Sequence, residues 1–251
     1  MCIYRSVEVG MICSVELPIK YLESFSQYFD YDFVIASNCL SYPKYFDYYK
    51  HSGRRMILDN GAFETGEAIN DKLYYGVVKE LKPDIIVLPD AYNDEVKTVM
   101  RSLSFLRFWE KNAIPGIELM VVLPGNSEER ILSEYVIFQK ASPKVIWYGL
   151  PYGSMINRYQ FLKKHPEITN IHILGLSNLG EACALSELHN IVSIDTSLPI
   201  RCTTNKLYMS KVLSANDHVS MLEENLDENL LVYNLNTFRG VCHNNFRIVQ
   251  E

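Results

Sequence analysis

Short apolar runs recur along this chain at a spacing that few folds can accommodate. They read FVIAS (33–37), MILDN (56–60), IIVLPD (85–90), LMVVLP (119–124), VIWYGL (145–150), IHILGL (171–176) and VSIDTS (192–197), and a weaker LLVYNL (230–235) closes the series. Successive positions are β-branched or apolar, the pattern of strands buried on both faces in a parallel sheet. Between the runs lie helix-like segments: DKLYYGVVKELK, DEVKTVMRSLSFLRFWEKN, SEERILSEYVIFQKA, NRYQFLKKH and LGEACALSELHN. Several open on Asn, Asp or Ser with acids in the first turn, which supplies acceptors for the unpaired N–H groups of a helix start. Eight strands alternating with helices over roughly 200 residues predict an α/β fold, a closed (β/α)8 barrel. A doubly wound open sheet is the competing arrangement, although no GxGxxG follows the first run to give it a dinucleotide site.

Composition enters where it excludes functions. At 251 residues and 48% hydrophobic the chain can bury one large core, so length does not force a second domain. No apolar run approaches the roughly 18 residues of a membrane span, and no membrane partner is expected. Arg5, Glu8 and Glu16 interrupt the stretch where a secretory leader would need to be apolar. The six cysteines, at 2, 13, 39, 183, 202 and 242, form no CxxC pair and read as reduced thiols, so a cytoplasmic location is expected. With a net charge of −6, a nucleic-acid partner would need a local basic patch.

In a barrel of this kind the chemistry sits at the strand C-termini. Three runs end on an acid there: Asp59 in ILDNGAFE, Asp90 in IIVLPDAY and Asp195 in VSIDTSLP. One such acid is ordinarily a turn former or helix cap. Three at one rim repel one another, so their pKa values separate, which is how one site obtains both a nucleophile and a general acid. His172 lies inside a run and reads as packed, so a Ser-His-Asp relay is not expected. The acid motifs hold no His or Cys, so a metal site is not expected there either, nor any cofactor. Paired carboxylates suit glycosyl transfer: one attacks or stabilises the anomeric carbon and the other handles the leaving group's proton.

These motifs resemble those of the tRNA-guanine transglycosylase (queuine tRNA-ribosyltransferase) family. DTSLPIR is similar to the family's Asp-Cys-Val-x-Pro-Thr-Arg at Asp195, Pro199 and Arg201, and DNGAFE to Asp-Ser-Gly-Gly-Phe-Gln at Asp59, Gly61 and Phe63. Asp90 matches the base-reading acid. YGLPYGS resembles Gly-Gly-Leu-Ala-Val-Gly-Glu at Gly149, Leu150 and Gly153, and ILGLSN resembles Leu-Met-Gly-Val-Gly at Gly175. The opening VGMICSVELPIKYLESF is similar to the family's first strand and helix.

The resemblance implies that Asp195 attacks C1′ and holds the sugar as an ester. Asp59 would protonate the leaving guanine and deprotonate the incoming base, and Asp90 would accept from the guanine edge. Asn60, Phe63, Gly149, Leu150, Leu174 and Gly175 would line the base pocket, with Arg201 and Lys206 as nucleic-acid contacts. It also implies one barrel domain over 1–251, with a lead-in segment 1–30 and a helical closing segment from about 207 to 251. Family members often dimerise, so a homodimer is a further expectation.

The departures shift the substrate. The family's Cys-x-Cys-x-x-Cys…His zinc insert, which binds tRNA, has no counterpart in this sequence, and Cys242-His243 reads as structural. Pro124 stands where the family has a base-contacting Gln-Gly-Gly, Asn60 replaces Ser and Thr196 replaces Cys. The compact relatives of phages and bacteria, which insert 7-deazaguanines such as 7-cyano-7-deazaguanine into DNA, are the nearer comparison, and DNA is the expected partner. The alternatives are the same exchange on tRNA, a non-catalytic partner subunit, or plain hydrolysis of the glycosidic bond. Among basic residues, Arg54-Arg55 precede their strand and read as a solvated surface pair. Lys163, Lys164 and Lys211 are weaker phosphate contacts than Arg201 and Lys206. Tyr92, Tyr148 and Tyr152 are candidates for base stacking.

Overall fold

The computed structural model describes residues 10–153, 156–176, 178–211 and 220–244. Eight parallel strands form its centre: β1 (Ile12–Val15), β2 (Asp32–Ile35), β3 (Met56–Asp59), β4 (Ile85–Val87), β5 (Glu118–Val122), β6 (Val145–Pro151), β7 (Ile171–Leu174) and β8 (Ile191–Thr196). Each pairs with its chain neighbour from β2 to β8, and β8 pairs with β1. The remaining seam, between β1 and β2, is bridged by Phe33 N–H donating to Ser14 Oγ (3.0 Å) and Asp30 N–H donating to Cys13 O (2.9 Å). The result is a nearly closed (β/α)8 barrel, with Phe33, Ile57, Val87, Met120, Val122 and Trp147 packed together in its interior.

The helices between strands start as their sequence predicts. Asn70, Asp94, Ser127, Asn157 and Asn178 each accept a hydrogen bond from a backbone N–H of the following first turn. Each cap replaces water at a helix start that faces the barrel rim.

One element differs from expectation. LLVYNL is not a strand; it lies within the helix Glu228–Cys242, whose start is capped by Asp227 accepting from the N–H groups of Asn229 and Leu230. Leu231, Asn234, Leu235, Phe238, Val241 and Cys242 are buried, a spacing of three and four that only a helix gives. Read over six residues the run is equally apolar in either conformation, and the longer period decides it. The eighth strand is instead β1, in the stretch that resembles the family's first strand. Within the expected closing segment the described residues are helical at Met209–Lys211 and Glu228–Cys242. Among the described residues no helix is long and apolar enough to cross a membrane.

Arg54 also departs from the solvated surface pair expected of it. Its Nε donates to the buried Asp32 (2.9 Å) and its Nη2 to Phe29 O (2.8 Å), closing the end of the barrel away from the strand C-termini. Arg55 is exposed and lies over the Trp147 ring.

Candidate active site

The strand-end acids gather at one end of the barrel. Asp59 is the last residue of β3, Asp195 is the penultimate residue of β8, and Asp90 follows β4. Asp59, Asp90 and Asp195 all keep partial exposure. Two acids missing from the sequence-based set join them. Glu16 directly follows β1, its N–H donating to Thr196 O at 3.2 Å, and Glu64 lies on the short helix Ala62–Thr65. Glu16 is another acid at a strand end, legible once β1 is placed; Glu64 is the final residue of DNGAFE itself.

The turn after β3 aims Asp59. The Asp59 carboxyl accepts the Gly61 N–H at 2.7 Å, and Gly61 has a φ of +82°, a conformation that L side chains rarely adopt. A Cβ at Gly61 would also lie 2.6 Å from Ser37 Oγ. Gly61→Ala is therefore expected to lower stability by about 2 kcal/mol, measured as a lower urea midpoint with unchanged m value. Beyond the turn, the β3 and β4 loops are joined by Ala68 N–H donating to Asp90 O (3.1 Å) and Tyr92 N–H donating to Gly66 O (3.0 Å). This brings Phe63 and Tyr92, both exposed, edge to face at a centroid separation of 5.2 Å beside the acids.

Charge crowding sets the protonation of this end. Burial pushes Asp59 well above the usual carboxylate range, and the charges of Glu64, Asp90 and Asp195 add to the rise against the Gly61 hydrogen bond. Asp90 is pushed up to about 6 by burial, opposed by a hydrogen bond from Asn60. Glu64 rises to about 7, through desolvation first and then the fields of Asp195 and Asp90. Its side chain is nonetheless open to water, so it stands at the solvent edge of the acid group rather than in a dry interior. Glu16 rises to about 8 by burial and by Glu64 and Asp195, with Arg201 opposing.

Asp195 is positioned by two donors. Gly175 N–H reaches Oδ1 at 3.3 Å and His172 Nε2 lies 3.0 Å from the same oxygen. His172 is fully buried, stacked on Phe33 at 5.4 Å, with Nδ1 2.7 Å from Ser193 Oγ. A carboxylate only accepts, so Nε2 carries the proton and Nδ1 accepts from the Ser193 hydroxyl. The β7–β8 register shifts between Ile171 and His172, an irregularity of the kind that re-aims a side chain beside a site. His172 is thus packed, as expected, but it also orients an acid. Ser193 is fully buried, so the solvent-facing member of the chain is Asp195 and not the hydroxyl, the reverse of a hydrolase relay.

The other anticipated residues divide. Asn60 is fully buried; its Nδ2 donates to Leu88 O and its Oδ1 accepts from Ala62 N–H, both at 3.1 Å, so it holds the turn and Asp90. Leu174 packs where a Gly149 Cβ would stand, 2.8 Å from its Cδ1. Leu150 is buried and offers only its carbonyl, which accepts from Arg158 Nη1 at 3.1 Å. Arg158, itself only 4% exposed, also donates to Leu174 O and Gly175 O and pairs with Glu181 at 2.8 Å, pinning the ends of β6 and β7 beneath the site. Nothing in the NRYQFLKKH pattern distinguishes this arginine from a surface one. Arg201 donates to Leu176 O at 3.1 Å, while Lys206 lines a lateral groove with Tyr208, Asp227 and Tyr233 that Glu16, Asp59, Glu64, Asp90 and Asp195 do not line. Of the tyrosines, Tyr92 and Tyr152 are exposed, whereas Tyr148 is buried against Tyr135.

Fold and site together define a (β/α)8 barrel with an acid-lined C-terminal mouth. No protein-family profile and no curated protein matches the chain. Among solved structures it is similar to N-acetylneuraminate lyase from Mycoplasma synoviae in two crystal forms. One form matches at 12% identity with a TM-score of 0.47 over 92% of this chain and 97% of that one. The other matches at 14% identity with a TM-score of 0.44 over 79% of this chain and 75% of that one.

Proposed function

We propose that the protein is a glycosyl-transfer enzyme that replaces guanine in DNA by a 7-deazaguanine base such as 7-cyano-7-deazaguanine. The observation that carries this reading is the presence at one end of the barrel of Asp59, whose carboxyl burial and acidic neighbours push well above its usual range, together with Asp195, held in place by His172 and Gly175. An Asp195 oxygen attacks C1′, the bond from C1′ to the guanine ring nitrogen breaks, and Asp59 supplies the proton that the departing base needs. The incoming base then loses a proton to Asp59, its nitrogen attacks C1′, and the ester to Asp195 breaks. Asp90 accepts from the guanine N–H groups, and Phe63 with Tyr92 offers a stacking surface for a base extruded from its helix. Arg201 meets a phosphate or holds the loop, and its hydrogen bond to Leu176 O supports the second role. The DNA assignment rests on the absence from this sequence of the cysteine cluster that the resembling tRNA-acting family carries.

The test offers DNA and tRNA in parallel, each containing labelled guanine, with 7-cyano-7-deazaguanine in solution. Displacement of label from DNA alone is the expected result. Displacement from tRNA alone would reassign the substrate, label release without added base would make the protein a hydrolase, and no release from either would remove the catalytic reading.

A further inference from the structure

At the opposite end of the barrel from the acids, the chain assembles a second cluster that the glycosyl-transfer reading does not use. Cys242 and His243 have no ligand-type neighbours in sequence, but they have them in space. Single donor atoms of Cys13, Asp30 and His243 all lie within 4.8 Å of one another. His243 Nε2 is 2.8 Å from Asp30 Oδ2. We propose that Cys13, Asp30 and His243 form a three-residue binding site for a divalent metal ion of the zinc class, with solvent as the fourth donor, that ties the C-terminal helix to the first strand.

The donor set carries the choice of ion. One sulfur, one imidazole nitrogen and one carboxylate oxygen, with a solvent oxygen completing a tetrahedron, suit a borderline-soft ion, and Mg²⁺ or Ca²⁺ would want oxygen throughout. Charge balance agrees. One thiolate and one carboxylate match the charge of a divalent ion, and the Arg239 guanidinium, 3.1 Å from Asp30 Oδ1, holds that carboxylate in place. That contact leaves Oδ2 facing the cluster, so Arg239 orients the carboxylate from outside as outer partners of metal ligands do.

The site is also held ready. Cys13 N–H donates to Asp30 Oδ2 at 2.9 Å, and Asp30 N–H donates back to Cys13 O at 2.9 Å, fixing the first two ligands relative to each other. The helix end that brings Cys242 and His243 is pressed against the start of the barrel. A Cβ on Gly10 would stand 2.7 Å from both Cys242 O and His243 Cα. Cys13 and Cys242 are fully buried, whereas His243 and Arg239 keep 27% and 40% side-chain exposure, so an ion can enter from the solvent side. On binding, the Cys13 thiol releases its proton to solvent as its sulfur bonds the metal, and the proton between His243 Nε2 and Asp30 moves to Nδ1 so that Nε2 can bond the ion.

The experiment titrates the metal-stripped full chain with Co²⁺ and follows the thiolate-to-cobalt charge-transfer absorption, with Zn²⁺ as competitor. One cobalt per chain, a charge-transfer band that zinc abolishes, and a zinc-dependent rise in Tm are expected. His243→Ala, at the exposed helix end, should lower affinity by more than about 100-fold, and Arg239→Met by about 10- to 100-fold. Cys13→Ser should remove or shift the band; because Cys13 is buried, His243→Ala supplies the same test if that variant fails to fold. A wild-type chain that gives no thiolate-to-cobalt band overturns the site. So does a one-to-one band with the same affinity in His243→Ala, which would assign the metal to other residues.

Discussion

Asp195→Asn is expected to lose turnover by about 10⁴-fold or more and to form no covalent adduct. The measurement is intact mass of the protein after mixing with a guanine-containing oligonucleotide and a slowly reacting base analogue. The wild type should gain the mass of the abasic strand, and the variant should not. An amide at position 195 keeps the Gly175 N–H contact and can keep a contact to His172, so its fold should survive and the loss can be assigned to nucleophilicity. An adduct that persists in Asp195→Asn, or that maps by peptide mass to Glu16 or Asp59, would move the nucleophile to that residue. The same experiment gauges His172, which touches no substrate in this scheme. Its replacement by Phe should retain the stack on Phe33 but lose the orienting hydrogen bond, slowing adduct formation while leaving its site at Asp195.

Much of this arrangement is legible in the sequence, for reasons that particular elements make plain. Seven of the eight strands announce themselves as apolar runs because a parallel barrel buries both of their faces. The acids at 59, 90 and 195 stand out because each breaks such a run at its C-terminal end. β1 is harder to see: its four residues, ICSV, are less apolar than the other runs, and Ser14 serves as a seam bridge where the sheet ladder is interrupted. The count of apolar runs passes over β1, which only the motif resemblance marks, so Glu16 is not read as a strand-end acid and the apolar LLVYNL supplies a false eighth strand. His172, Ser193 and Arg158 were illegible for another reason. Their roles lie in hydrogen bonds across strand neighbours 21 or more residues apart, or from a helix to three strand-end carbonyls, and a local pattern records neither. The Cys13–Asp30–His243 cluster is more extreme, because it joins the first strand to the last described helix.

Asp59→Asn separates the chemistry of the mouth from its stability, because the two should move in opposite directions. Turnover should fall by about 10²- to 10⁴-fold, since the amide cannot deliver a proton to the departing base or take one from its replacement. Stability should rise at alkaline pH. Asp59, Glu64, Asp90 and Glu16 all have folded-state pKa values above those of the unfolded chain. Between the two values the folded protein binds more protons than the unfolded one, so stability declines with rising pH. This contribution is fully present below about pH 4, where the unfolded carboxyls are themselves protonated. It is lost through about pH 6 for Asp90, 7 for Glu64 and 8 for Glu16. Asp30 works in the other sense. Burial would raise it, but the Cys13 N–H, His243 and Arg239 together outweigh burial and hold it low, so its contribution is lost only as the solution is acidified. Urea midpoints should therefore fall from pH 5 to pH 8 in the wild type, and Asp59→Asn should flatten the decline. Glu16→Gln provides an independent measure of the crowding. At about 1.4 kcal/mol per pKa unit, and discounted for partial exposure of the side chain, it should gain about 1–3 kcal/mol at pH 8. If neither variant changes the slope, the acids do not share one field. The raised pKa of Asp59, on which its role as proton donor depends, would then have no basis.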